Sequence, residues 1–345
     1  MEFFSSNTVN KTDNCILSTN IKIPWVEKYR PKNSNEILLE PFIKQKIEKI
    51  LENKSIPNMI ITGEPGTGKT STILFLAKQL YGSYYNDNVL ELNASDDRGL
   101  SIINNTIYPF CKKKVEIKNG IPPHKLIILD EADSITMKAQ NLLSNIISEF
   151  RKNTRIVFIC NDCTQIIESI QSRCMIIKYP RINSDNLYKK IENICINEKI
   201  PYNINGINTL LFVSDNDIRQ AINNLECIYY SFGKLDETSI YLLIDKPKPY
   251  YIAMIIKGCY MKDYIGVIGI VKNLYNKGYT PNDILLTFMK YLFESNDNMT
   301  IELSEEVRLK IYEIISLNYI RVNGGVDTLL QLCGCISKIF LYLQK

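Results

Sequence analysis

Short apolar runs alternate with helical patterns of apolar residues between residues 56 and 179. Each run has the length of a buried strand, and the segments between the runs place apolar residues at the spacing of an amphipathic helix. This alternation predicts a parallel sheet with helices on both faces. The runs cover residues 58–62, 89–92, 125–129, 155–160 and 174–178.

Only helical patterns follow Pro180, for example at residues 187–200 and 218–230. The Lys-Pro-Lys-Pro stretch at 246–249 marks a further boundary, and a later helix is predicted to begin at Pro281 with Thr280 as its N-cap. We therefore expect a flexible polar tail and three domains. Their predicted ranges are 1–20 for the tail, 21–180 for the α/β domain, 181–245 for a small helical domain and 246–345 for an all-helical domain.

Composition limits the class of protein. A chain of 345 residues fits two or three domains of about 150 residues each. Hydrophobic residues make up 45% and charged residues 23%, which excludes a long disordered or collagen-like chain. The net charge of +4 is too small to indicate nucleic-acid binding by itself. No apolar run would span a bilayer and no apolar signal core begins the chain, so we expect a protein that is intracellular, not secreted and without a membrane partner.

The ten cysteines are scattered, as in reduced intracellular proteins. Two close pairs, Cys160 with Cys163 and Cys333 with Cys335, raise the question of a zinc site. The chain has one histidine, His124, and no second cysteine pair at zinc spacing. We therefore interpret the cysteines as core or surface thiols and predict no zinc site.

A phosphate-binding loop is the clearest motif in the chain. The sequence GEPGTGKT at residues 63–70 fits GxxxxGK[ST] between an apolar run and a helical pattern, which is the required context. Backbone N–H groups of such a loop hold phosphate, while Lys69 can reach the β- and γ-phosphates and the Thr70 hydroxyl can bind Mg²⁺. The residues predicted to bind the nucleotide here are Gly63, Glu64, Pro65, Gly66, Thr67, Gly68, Lys69, Thr70 and Ser71.

Two acids end the third apolar run, where a carboxylate is costly unless it works outside the core. Asp130 is the second predicted Mg²⁺ ligand, with Thr70, and Glu131 is predicted to polarise the water that attacks the γ-phosphate. A small-molecule kinase would not need Glu131, so hydrolysis is favoured. The letters DEAD at 130–133 also suggest a helicase, but the later His/Arg-rich motif of that superfamily is not found.

Two further polar residues follow the acids. Asn161 ends the fourth run, and a strand beside that of Asp130 would bring its amide to the γ-phosphate, where it could orient the attacking water. Arg173 lies in a loop, and a lone arginine there is more typical of a solvated surface charge.

Four motifs in order make the chain resemble the small subunits of replication factor C, the AAA+ clamp loader of eukaryotes and archaea. The resemblance covers the chain from about Pro24 onward and is nearest to the eukaryotic second-subunit type, by residues 219–225 and 277–283. In the last of the four motifs the usual glycine before the acid is missing. The motifs are PWVEKYRP at 24–31, LNASDDRG at 92–99, SRC at 172–174 and SDNDIRQA at 214–221.

The resemblance implies an AAA+ ATPase core with a parallel sheet and P-loop, then a small helical lid and an all-α C-terminal collar. It implies that Val26, Tyr29, Arg30 and Pro31 line an adenine pocket and that Arg219 reaches the γ-phosphate in its own subunit. Arg173 would be a catalytic arginine finger for a neighbouring subunit, alongside Glu131 and Asn161 in the chain's own site.

The function that the resemblance implies is clamp loading in DNA replication. The chain would be an ATP hydrolase that uses ATP and Mg²⁺ within a hetero-pentamer of clamp loader subunits. That assembly would open a ring-shaped sliding clamp and place it on primer–template DNA, in the nucleus or at a viral or cytoplasmic replication site.

Some positions depart from the family pattern. Basic residues expected to follow the DNA backbone are replaced by Asn104, Thr106, Ser144 and Asn145, which puts DNA contact by this subunit in doubt. Two alternatives remain open at this stage. The chain could be a subunit of the same complex that binds ATP with little turnover, or another AAA+ motor such as a branch-migration helicase, although such a motor would more plausibly end in a winged-helix DNA reader.

Overall fold

The computed structural model describes residues 23–31, 36–95, 100–113, 122–294 and 303–344. The tail predicted at 1–20 and residues 96–99 of the motif at 92–99 lie outside the described residues.

The five predicted strands form one fully parallel sheet in the order β2-β3-β4-β1-β5. Each strand agrees with its predicted run to within one residue at either end. Because β4 lies between β3 and β1, the carboxyl ends of these three strands meet at one edge. The strands are β1 (Met59–Gly63), β2 (Val89–Asn93), β3 (Lys125–Asp130), β4 (Thr154–Cys160) and β5 (Met175–Tyr179).

Helices cover both faces of the sheet, as predicted. Met59 and Ile61 point to one face and pack with Ile73 of α3, whereas Ile60 points to the other and packs with Leu143 of α7. This alternation gives the α/β region two apolar layers. The helices up to the last strand are α1 (Trp25–Lys28), α2 (Pro41–Glu52), α3 (Lys69–Tyr81), α4 (Tyr85–Asn88), α5 (Leu100–Ile102), α6 (Tyr108–Lys112), α7 (Met137–Glu149) and α8 (Glu168–Gln171).

A π-helical turn (Ile103–Ile107) joins α5 to α6. The Tyr108 N–H donates to the Ile103 carbonyl five residues back, and the next residue, Pro109, has no N–H to continue an α-helical ladder. The proline therefore explains why the helix widens here, a feature that the apolar pattern did not predict.

The middle region, residues 181–245, is helical, with α9 (Ser184–Asn197), α10 (Ile204–Val213), α11 (Ile218–Phe232) and α12 (Glu237–Leu243). Its apolar cluster also contains Trp25, which is 4% exposed and stacks on Tyr229 of α11. The backbone N–H of Trp25 donates to the Glu226 carboxylate at 2.9 Å. The segment 23–31 is thus docked on the middle region.

The C-terminal region, residues 246–344, is helical where the structure describes it, and its helices share one apolar cluster. Thr280 caps α15 as predicted, since its Oγ1 accepts the Asp283 N–H at 3.2 Å. The domain boundaries themselves stay predictions. The helices are α13 (Pro249–Tyr260), α14 (Tyr264–Asn276), α15 (Pro281–Glu294), α16 (Glu305–Asn323) and α17 (Leu329–Leu343).

Candidate nucleotide site

The predicted phosphate-binding loop connects β1 to α3 at the carboxyl edge of the sheet. Gly63 is required by close approach, because a Cβ there would lie 2.6 Å from the Tyr179 carbonyl oxygen of β5. Gly66 adopts a φ of +76°, which favours glycine. The loop therefore has a fixed path that ends at the N-terminus of α3, where N–H groups are available to an anion.

Lys69 lies at the centre of the site and is buried. Its Nζ donates to Asn161 Oδ1 at 2.8 Å, to the Glu64 carbonyl at 2.9 Å and to the Gly63 carbonyl. Burial lowers the pKa of Lys69, while the carboxylates of Asp130 and Asp133 partly oppose that shift. All three acceptors are neutral oxygens, which an incoming phosphate can replace as partners of Nζ.

Thr70 and the two acids stand beside Lys69. The Thr70 hydroxyl donates to Asp130 Oδ2 at 2.9 Å, so the two predicted Mg²⁺ ligands are in contact. The Glu131 N–H donates to Asp130 Oδ1 at 2.9 Å, and Glu131 has a φ of +53°. A glutamate rarely adopts this left-handed conformation, and such strain is concentrated at functional sites.

Asn161 is held on three sides. Its N–H donates to Asp133 Oδ2 at 3.0 Å, its carbonyl accepts the Thr62 hydroxyl at 3.0 Å, and its side chain meets Lys69. As predicted from strand order, β4 lies beside β3 and brings this amide next to the acids.

The site opens into a cleft of about 240 Å³ between the α/β region and the middle region. Two of the predicted residues, Gly63 and Glu64, do not line this cleft. The exposed carboxylate of Glu64 pairs with Arg181 at 2.6 Å, and the Gly63 carbonyl accepts a hydrogen bond from Lys69. Predicted residues that do line it are Val26, Tyr29, Arg30, Pro31, Pro65, Gly66, Thr67, Gly68, Lys69, Thr70, Ser71, Asp130, Glu131, Asn161 and Arg219.

The wall facing the phosphate-binding loop is mostly apolar and contains residues that sequence reasoning missed. The helical spacing of Ile218 and Ile222 in α11 predicted that they are apolar positions of a helix but did not indicate a cleft. The remaining missed residues come from distant segments of the chain and belong to no motif. The missed lining residues are Glu36, Ile37, Leu38, Ile182, Lys190, Ile218 and Ile222.

The segment 23–31 lines part of the cleft and is attached to the middle region. The Tyr29 hydroxyl and the Lys28 ammonium both donate to Glu198, the residue that follows α9. Burial and this carboxylate raise the pKa of Tyr29, so its hydroxyl stays protonated. Tyr29 is thus fixed to the middle region while its ring lines the cleft.

Arg173 lies away from the cleft, on the surface after α8. Its Nε donates to the Ser148 hydroxyl at 3.2 Å and its Nη1 donates to the Ser169 carbonyl. The role of Arg173 as an arginine finger for a neighbouring subunit stays a prediction.

One expectation about the neutral positions is wrong. Ser144 is buried, at 6% exposure, within the apolar layer beneath α7, so it does not face a DNA channel. Asn104, Thr106 and Asn145 are exposed.

The described residues contain no group of three or more His, Cys, Asp or Glu side chains placed to hold a metal ion. Among the helices that the structure describes, none combines the length and apolar character needed to cross a membrane.

Family models match both ends of the chain. The model for AAA, the ATPase family associated with various cellular activities, matches residues 59–181, and the replication factor C C-terminal domain matches residues 247–338. The first range contains the sheet, the phosphate-binding loop, Asp130, Glu131 and Asn161, and the second falls in the C-terminal region.

Similar proteins cover nearly the whole chain. It is 38% identical over 323 residues to the probable replication factor C subunit 2 of Dictyostelium discoideum, with 94% of each chain covered. It is 36% identical over 319 residues to replication factor C subunit 4 of Saccharomyces cerevisiae, covering 92% of this chain and 96% of that protein.

A solved structure shares the fold at much lower identity. The Thermotoga maritima RuvB Holliday junction branch migration motor superposes with a TM-score of 0.52 at 14% identity, over 67% of this chain and 78% of that one. This likeness concerns the fold alone.

Proposed function

The chain belongs to the replication factor C family and carries an AAA ATPase domain, and on that premise we propose that it is an ATP-hydrolysing subunit of a clamp loader. In this proposal it works in a hetero-oligomer, a pentamer by resemblance, that opens a ring-shaped sliding clamp and places it on primer–template DNA. It acts where DNA is replicated inside the cell.

The observation that carries the proposal is the linked polar set at the carboxyl edge of the sheet. Lys69 and the loop N–H groups bind the β- and γ-phosphates. Thr70 and Asp130 offer two oxygen donors in contact, which fits Mg²⁺, a hard cation that prefers oxygen and neutralises phosphate charge when bound. Glu131 accepts the proton of the attacking water, and Asn161 orients that water.

The apolar wall is proposed to hold the base. Val26, Ile218 and Ile222 offer flat contact to adenine, while Arg219 and Lys190 supply positive charge at the same wall. This arrangement supports a nucleotide that bridges the two walls, with its phosphates at the loop.

The experiment is clamp loading by a reconstituted complex. Lys69→Ala should abolish loading of a fluorescent clamp onto primer–template DNA because phosphate affinity is lost, and Lys78→Ala on the exposed face of the same helix should load normally. Normal loading by Lys69→Ala would contradict the proposal.

Arg173 is proposed to complete the site of a neighbouring subunit. Arg173→Ala should leave ATP affinity of the isolated chain unchanged and lower turnover at the adjacent site about 10³-fold or more in the complex. The measurement needs a complex whose other sites carry inactivating changes, so that one site reports. A loss of affinity in the isolated chain, with the neighbour unaffected, would contradict the assignment.

A further inference from the structure

The turn between α10 and α11 adopts an uncommon backbone. Asp215 has a φ of +55° and Asn216 a φ of +58°, so two consecutive residues other than glycine are left-handed. The Asn216 N–H donates to the Leu211 carbonyl and the Asp215 N–H to the Phe212 carbonyl, which is the Schellman ending of a helix. Asn216 occupies the place of the family's usual glycine, and asparagine is among the residues that tolerate this conformation best.

An aspartate is a costly choice at the first left-handed position. Glycine is the preferred residue there, and a negative charge is unfavourable at the C-terminus of a helix. Asp215 nevertheless forms an ion pair with Lys290 of α15, and Lys246 Nζ lies 3.7 Å from its other oxygen. Lys246 also donates to the Val213 carbonyl at 2.8 Å, at the end of α10. Two lysines from outside the middle region thus converge on this turn.

The same turn leads directly to the nucleotide cleft. Asp217 caps α11 by accepting the Arg219 N–H at 2.8 Å, and its N–H donates to the Ser214 carbonyl at 2.9 Å. The Asp217 carboxylate also rests on the phosphate-binding loop, because a Cβ on Gly66 would come within 2.1 Å of Oδ1. One residue further, Ile218 lines the cleft, followed by Arg219.

We propose that Asp215 is a positioning residue for the nucleotide site. Its ion pair with Lys290 lets the C-terminal region hold the left-handed turn, and the turn sets where Asp217 and Arg219 stand against the loop. This inference rests on the proposed ATPase function, and it names a route by which a movement of α15 changes the site.

Four substitutions separate charge from backbone shape. Asp215→Asn removes the charge and keeps a residue that tolerates a left-handed φ, and Lys290→Gln removes the partner. Asn216→Gly relieves the backbone and leaves the ion pair. Lys310→Gln breaks an exposed pair with Glu313 on α16 and serves as the matched control.

Binding of ATP and ADP to the isolated chain is then measured with fluorescent analogues, alongside the melting temperature. Asp215→Asn and Lys290→Gln should each weaken ATP binding about two- to fivefold, the range expected for a partly exposed ion pair. ADP binding should change less, since Arg219 is expected at the γ-phosphate. Asn216→Gly and Lys310→Gln should bind like the wild type.

The background Arg219→Ala tests the route. If Asp215 acts through Arg219, Asp215→Asn should add no further loss there, whereas a general loss of stability would weaken binding equally in both backgrounds. Unchanged ATP binding in Asp215→Asn and Lys290→Gln, or the same loss in the Arg219→Ala background, overturns the inference. A wild-type chain that binds ATP no better than Lys69→Ala overturns the proposed function instead.

Discussion

The two walls of the cleft are built by different means. On the α/β side, polar groups are linked to one another and to the backbone, as Lys69 is to Asn161 and Thr70 to Asp130. On the middle-region side, the wall depends on apolar packing around Trp25, and its exposed Arg219 stands on a helix whose start is held by a strained turn. The ends of the strands therefore fix the polar groups of the α/β wall. The position of the opposite wall depends instead on the segments that pack against the middle region.

The largest expected effect tests the α/β wall. Glu131→Gln should keep ATP bound and lower turnover at this subunit's own site by about 10²- to 10⁴-fold, since a general base is lost while the shape is kept. The assembled complex used here carries inactivating changes at its other sites, so that this site alone reports. Turnover and nucleotide retention are measured on the same sample.

Glu52→Gln, on an exposed position of α2, is the control for this change. Wild-type turnover by Glu131→Gln would mean that Glu131 is not the base, and low turnover in the wild type would favour the alternative of a subunit that binds ATP without hydrolysing it.

The second prediction compares the walls directly. Lys69→Ala should weaken ATP binding by roughly 10- to 150-fold, because a buried charged hydrogen bond contributes about 1.5–3 kcal/mol. Arg219→Ala should weaken ATP binding less, about fivefold at most, since Arg219 is exposed and an exposed ion pair contributes about 1 kcal/mol or less. Calorimetry with both variants measures the ratio, and a larger loss for Arg219 would reverse the comparison.

The same contrast explains what could be predicted from sequence. The loop, Asp130, Glu131 and Asn161 follow strands, and a parallel sheet brings strand ends together whatever the rest of the chain does. Lys190 and Ile182 had no such constraint, because they reach the cleft only through packing between separate segments. Ser144 was misplaced because a motif alignment does not say which side of α7 is buried.

The third prediction uses the single histidine, which lies in the α/β region. His124 is 1% exposed, and its Nε2 accepts the Ile56 N–H at 3.3 Å. Burial, with a smaller contribution from Arg155, lowers the pKa of His124 from 6.5 to about 4. The folded state therefore disfavours the proton, and stability is lost as the pH falls from the unfolded pKa toward the folded one.

We expect protonation of His124 to lower the free energy of unfolding by about 2–3 kcal/mol between neutral pH and about pH 4.5. Urea unfolding at both pH values should show a smaller acid loss for His124→Gln than for the wild type. Hydrogen exchange of the β3 amides reports the α/β region, and fluorescence of Trp25, the one tryptophan, reports the middle region. An acid loss equal in the two proteins would mean that His124 is not its source.

The smallest expected effect concerns the outer surface of the α/β region. If Asn104 and Asn145 face primer–template DNA, as the resemblance implies, the chain makes neutral contacts there, which position phosphate without an ionic contribution. Asn104→Arg and Asn145→Arg should each steepen the slope of log K against log salt by about 0.9. Sedimentation of the complex, measured in parallel, shows whether assembly is intact.

Lys138→Gln, at an exposed position near the start of α7, is the control for these substitutions. It tests whether a lysine already present on that helix contributes to the salt dependence of DNA binding. An unchanged slope with an intact complex would mean that Asn104 and Asn145 do not face DNA. The nucleotide cleft would then be the one described part of the α/β region with a proposed polar ligand.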